Sequence, residues 1–171
     1  MPRRFVSVLA AVGMLLTLVA PAAAAGKPEH FPAGIGDPVE LPAGYVCDFA
    51  VRWDTTISHV QVLIFPALPN GDQVVRQTGD STVVVTNTTA SPNRSVTLNI
   101  ANRQDLIFHA DGTITARIDG AILAAYAATD AGGPGMFYFR GHLHDELDSS
   151  FTGLSHEFVG TTVDLCAALG S

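Results

Sequence analysis

Ser95-Val96-Thr97-Leu98-Asn99-Ile100 is the stretch on which the fold turns. Val96, Leu98 and Ile100 share one face of an extended chain, and Ser95, Thr97 and Asn99 share the other. The same alternation recurs outward. Residues 82–86 and 73–77 are Val-rich runs upstream, and Pro69-Asn70-Gly71-Asp72 before them is a turn, because Asn-Gly tolerates positive φ. Val60, Val62 and Ile64 form an earlier strand, and Tyr45, Cys47, Phe49, Val51 and Trp53 the first. Downstream, Ile114, Ala116 and Ile118 alternate with Thr113, Thr115 and Arg117. Asp111-Gly112 and Asp119-Gly120 punctuate the ends of that strand. Residues 121–128 are an apolar run without a diagnostic period, open between a short helix and a buried strand. Residues 136–144 and 158–165 complete the set, with Gly132-Gly133-Pro134-Gly135 as a loop.

Eight or so short strands and no long amphipathic helical pattern predict an all-β fold: an antiparallel β-sandwich of immunoglobulin-like architecture, with little or no helix. An antibody-type domain is not expected, because Trp53 follows the first cysteine by only six residues and Cys166 lies far away. Residues 26–44 hold four prolines and four glycines and read as an extended arm. Residues 45–171 read as a single domain, long enough to bury a real core.

The N-terminus supplies an address. Arg3-Arg4 is a short basic start, residues 5–20 are uncharged and mostly apolar, and Ala22 to Ala25 give an A-x-A exit before Gly26. That is the design of a cleaved secretory signal peptide over residues 1–25. As a membrane anchor the run is slightly short and lacks basic residues after it. Secretion to an oxidising exterior then predicts a disulfide between the two cysteines, Cys47 and Cys166. Residues 1–25 carry two of the nine Lys and Arg and none of the 16 Asp and Glu, so the remainder has a net charge of −9. An acidic chain with no basic stripe is a poor partner for nucleic acid and for anionic membranes.

Three motifs resemble those of small secreted β-sandwich proteins of high-GC Gram-positive bacteria, a group with no established activity. They are Cys47-Asp48-Phe49, the pair of runs 82–87 and 95–100, and the run from Gly160 through Asp164-Leu165-Cys166 to Leu169. The resemblance implies a fold and an extracellular setting, and no catalytic residue.

The one chemical cluster is Gly141-His142-Leu143-His144-Asp145-Glu146, with His156 beyond it. His142 and His144 are two apart, so a strand places both on one face, where they could ligate Zn²⁺ or Cu²⁺ with Asp145 or His156. The plainer expectation is that both are solvent-facing polar residues, since Phe137, Phe139 and Leu143 take the opposite parity and one pair does not complete a metal site. Other motifs fail. Gly153-Leu154-Ser155-His156-Glu157 is not a nucleophile elbow, and His156-Glu157 lacks the second histidine of H-E-x-x-H. His30, His59 and His109 stand isolated in the sequence. The expectation is a secreted, non-enzymatic binding or structural module with no cofactor and an extracellular ligand or protein as partner. The alternatives are an extracellular zinc or copper protein using His142 and His144, and a hydrolase whose triad assembles only in three dimensions.

Overall fold

The alternation centred on residues 95–100 runs much further than its cleanest stretch. The structure is a computed structural model and describes residues 27–170; the signal-peptide reading lies outside them. The strands are β1 Glu29–Pro32, β2 Val39–Leu41, β3 Val51–Ser58, β4 Gln61–Ile64, β5 Gln73–Asn87, β6 Arg94–Phe108, β7 Ile114–Tyr126, β8 Gly135–Leu147 and β9 Gly153–Asp164, followed by helix α1 Leu165–Gly170. Among the described residues all nine strands belong to one antiparallel sheet in which β5 to β9 are neighbours in chain order. Short turns between sequential antiparallel strands are the simplest connection a chain can make. β3 and β4 lie end to end along β5, and β2 and β1 continue that flank.

One row of residues crosses the sheet: Gly79 faces Asn102, Asn102 faces Gly120, Gly120 faces Gly141, and Gly141 faces Gly160. Gly120 and Gly141 have φ of 121° and 149°, a region that side chains other than hydrogen rarely enter. A Cβ there would also press into the backbone carbonyls of Ala101 and Val159. The break between β3 and β4 lies at the same level, where the His59 amide donates to the Asp80 carbonyl at 2.8 Å. The row is a crease, and glycine within a strand is the usual device for such a bend. It corrects the reading of Asp119-Gly120 as a strand end and of residues 73–77 and 82–86 as separate strands. Each glycine interrupts the pattern without ending the ladder.

The crease divides the sheet into two halves with different surroundings. In the half holding residues 102–108 and 114–120, β6 and β7 are paired; beyond Asn102 and Gly120 they separate, β6 keeping β5 and β7 keeping β8. The main core fills this split half. Val51, Trp53, Val83, Val85 and Leu98 meet Met136, Tyr138, Leu165 and Leu169 there, with Ala121, Leu123 and Ala125 packed against them. The opposite face of the same stretch of β7 and β8 builds a second cluster from Ile122, Ala124, Tyr126 and Phe139, with Ile118 and Leu143 from beyond the crease. Both faces are therefore covered, which is why residues 121–128 carry no period: a strand buried on both sides has no polar face to alternate. Each large side chain buried in this way contributes about 1.5–3 kcal/mol.

The bond Cys47–Cys166 is formed, as expected, and joins positions 119 apart in sequence. It closes the long loop that, in the chain-entropy model, stabilises a fold by about 4–5 kcal/mol. Around it the local reading changes. The ladder begins at Val51 rather than Tyr45, because the chain bends over residues 43–49 and buries Val46 and Cys47 consecutively. The last strand stops at Asp164, whose carboxylate accepts the Ala167 amide and starts α1. The arm at residues 26–44 is partly laddered: Val39–Leu41 pairs with β3, Glu29–Pro32 with β4, and Leu41 enters the core.

Candidate functional site

His142 and His144 lie on the polar face of β8 in the unsplit half of the sheet, where side chains of five strands line up in rows. Arg76, Asp105, Arg117, His144 and Glu157 are successive register partners across β5 to β9. Charges alternate from Arg76 through Asp105 to Arg117, and opposite charges on facing strands are the favourable cross-strand pairing. Arg76 Nε donates to Asp105 Oδ1 at 2.6 Å and Arg103 Nη2 to Asp105 Oδ2 at 2.9 Å. Burial raises the Asp105 carboxyl, but hydrogen bonds from Arg76 and Arg103 outweigh it and hold it below its usual value.

The histidines are absorbed into this pattern. His142 Nδ1 contacts Asp119 Oδ1, its register partner on β7, and His144 Nε2 sits 2.8 Å from Glu146 Oε1. Glu146 also accepts the Thr115 hydroxyl at 2.9 and 3.0 Å. Burial pushes the Glu146 carboxyl up, and the hydrogen bonds from His144 and Thr115 bring it to a net lowering. From Thr115 the chain continues to His109, whose Nε2 is 2.8 Å from Thr115 Oγ1 and whose Nδ1 is 3.2 Å from Asp72 Oδ2.

Asp72, His109 and Thr115 thus have the connectivity of an acid–base–hydroxyl triad. Thr115 is only 4% exposed and its hydroxyl donates to Glu146, so the oxygen is tied into the sheet rather than presented for attack. Sequence reasoning missed His109. Asp72 lies 37 positions away, and only the register of β5, β6 and β7 brings the two together.

Asp145 and His156 are on the other face. Asp145, on β8, is 2% exposed and binds two partners. The Tyr126 hydroxyl donates to Asp145 Oδ2 at 2.9 Å, and His156 Nδ1 lies 2.7 Å from Asp145 Oδ1. Tyr126 belongs to the split half of the sheet, whereas Asp145 and His156 belong to the other half. The trio is a polar clamp across the inside of the crease, with the Phe139 ring tilted against His156 at 5.6 Å between centroids. Burial pushes the Asp145 carboxyl above its ordinary value, against hydrogen bonds from His156 and Tyr126 that pull it down. Burial first, and then the charge of Asp145, raise the Tyr126 phenol. A cavity of about 20 Å³ lies beside the clamp, between Tyr126, Asp145, Leu143, Leu147 and Phe151, with room for about one water.

The four candidate ligands are therefore not one set. His142 and His144 face outward, and Asp145 and His156 point through to the inside of the crease, because adjacent strand residues take opposite faces. Among the described residues no group of three or more His, Cys, Asp or Glu is placed to hold a metal ion. Tyr126, which completes the clamp, was read only as part of an ambiguous apolar run, and nothing local marks it. A concavity of about 430 Å³ lies at the far end of the split half, lined by Phe49, Asn87, Thr89, Pro92, Arg94 and Gly170. Asn87 there is committed to structure: its amide donates to the Leu169 carbonyl and its oxygen accepts the Thr89 and Ala90 amides. Among the described residues no helix is long and apolar enough to cross a membrane. No protein-family model matches the chain, and no curated protein or solved structure matches it.

Proposed function

We propose that this chain is an exported, non-catalytic β module that acts outside the cytosol by binding a protein or ligand, or as a structural part. The observation that carries this reading is how its chemical side chains are used. His109, His142, His144 and His156 each hold a ring nitrogen against a carboxylate, Asp72, Asp119, Glu146 and Asp145 respectively, in pairs on the sheet and a buried clamp. A metal site needs several converging ligands, and here the exposed His142 and His144 are each taken up by a single carboxylate while His156 turns to Asp145 and Tyr126 in the clamp. The long-range disulfide supports an oxidising compartment. The resemblance to small secreted proteins of high-GC Gram-positive bacteria points the same way. The finer architectural reading is a local sandwich: in the split half, β3, β5 and β6 face β7 and β8 across the main core, as sandwich leaves do.

The test is elemental analysis of the mature chain, purified without a His-tag and offered Zn²⁺ or Cu²⁺, beside His142→Ala/His144→Ala. Sub-stoichiometric metal, equal in the two proteins, is expected. About one metal per chain, lost in the double variant, would replace this reading with an extracellular zinc or copper protein. N-terminal sequencing of protein recovered from the medium checks export, with Gly26 the expected first residue.

A further inference from the structure

The two flanks of the sheet are built differently. On the N-terminal flank β1 and β2 are four and three residues long, separated by a stretch holding Gly34, Gly36 and Pro38. Short strands and prolines are the usual protection of a sheet edge against further pairing. The other flank is β9: 12 residues without proline, lysine or arginine, paired among the described residues with β8 alone. Three of its side chains, Leu154 at 57%, Val159 at 72% and Val163 at 48%, are large, apolar and exposed. The register with β8 slips once, at Leu154, and from Ser155 to Asp164 it is continuous, so that stretch offers a row of backbone donors and acceptors to another strand.

We infer that β9 pairs with β9 of a second copy of this chain, antiparallel and centred on Gly160, so that two sheets become one. Two observations choose this occupant. First, β9 bends at the crease, with φ of 151° at Gly160, so a strand laid along its whole length must bend at the same level. A second β9 does so when Gly160 meets Gly160, which carries the crease on across the joint. Second, this register sets no like charges opposite one another: with residues 160 opposed, Glu157 faces Val163 rather than another carboxylate, and Asp164 faces His156, whose ring stays in the clamp with Asp145. A strand pairing of one patch with itself is the closed, two-fold arrangement that most homodimers use. The inference goes beyond the proposed function and does not depend on it.

The test reads the register through charge. Sedimentation equilibrium of the mature, disulfide-bonded chain up to millimolar concentration should give a monomer–dimer equilibrium, with hydrogen exchange in β9 slowing as the dimer forms. Val163→Glu sets like charges opposite at Glu157 twice, and Val163→Lys sets opposite charges there; both lose the same apolar contact. At low salt the Lys variant should dimerise about tenfold more tightly than the Glu variant. Adding Glu157→Lys to Val163→Glu should restore the loss. Unchanged circular dichroism and melting temperature exclude a folding defect as the cause. A monomer at every concentration overturns the inference, as does a dimer in which the two variants behave alike. Protection of β9 only by a different extended chain would assign the edge to a foreign strand and equally overturn it.

Discussion

Strand β8 passes through two environments without changing its rhythm. Its even-numbered residues Met136 and Tyr138 are buried in the main core, while His142 and His144, two and three steps further along the same parity, face solvent. Between them the crease at Gly141 separates the split half of the sheet, where β6 and β7 part around a core, from the unsplit half, where they remain paired. Alternation tells which residues share a face. Whether that face is dry depends on what else in the chain arrives to cover it. On the face that carries Met136 and Tyr138 the split half is buried and the unsplit half is charge-paired, while the opposite face of the unsplit half buries its own cluster of Val75, Leu106, Ile114, Ala116 and Leu147. Burial and exposed charge pairing carry very different energies.

The crease itself gives the hardest test of that division. Gly141→Val adds a Cβ against the Val159 carbonyl at a φ that valine does not adopt. We expect a loss of more than about 3 kcal/mol and no two-state unfolding transition at ordinary temperature. A folded variant would mean that the bend is not required for the two halves to coexist. Replacing both Cys47 and Cys166 by alanine should cost the split half its clasp, about 4–5 kcal/mol by the loop it closes, as measured by urea unfolding. Trp53→Ala, in the same core, should cost about 3–5 kcal/mol. The matched change in the unsplit half, His142→Ala, should leave the urea midpoint unresolvably close to that of the unaltered chain, because its pair with Asp119 is exposed. Equal effects at Trp53 and His142 would erase the comparison.

The two faces of the unsplit half should also answer pH with opposite sign. The carboxyl of Asp145 is raised above its ordinary value of 3.8, so its contribution is fully present below that pH and is lost as pH rises through its folded value. Glu146 is lowered from 4.5, so its contribution is present above that pH and is lost as pH falls through its folded value. Asp145→Asn should therefore flatten the decline of stability as pH rises above about 3.8. Glu146→Gln should flatten the acid limb below about pH 4.5 instead. Stability measured by urea unfolding from pH 3 to 8 distinguishes them, and identical profiles would show that burial does not separate the two carboxyls.

Much of this was legible along the chain. Residues 95–100 and 114–118 announced antiparallel strands, and the two cysteines announced their bond. Phe137, Phe139 and Leu143 set against His142 and His144 announced which side of β8 would be wet in the unsplit half. The site was less legible. The pairings of His109 with Asp72 and of Tyr126 with Asp145 and His156 join residues 37, 19 and 30 positions apart. Such pairings follow from strand register, which no local spacing states. Of the crease glycines, Gly120 was misread as a strand end and Gly79 fell between two runs read as separate strands, whereas Gly141 and Gly160 lay inside the strands expected over residues 136–144 and 158–165. A glycine that bends a strand and one that stops it look alike in sequence.

The sequence by itself determined the β periodicity, the parity of each face, the acidic surface and the pairing of two lone cysteines, since each depends on near neighbours or on simple counting. Only the tertiary structure decided that the strands join in one creased sheet, that its two halves differ in what covers them, and that the four candidate ligands divide between opposite faces. Those outcomes depend on which distant strands come into register and where the backbone bends, and contacts of that range are specified by the whole chain together.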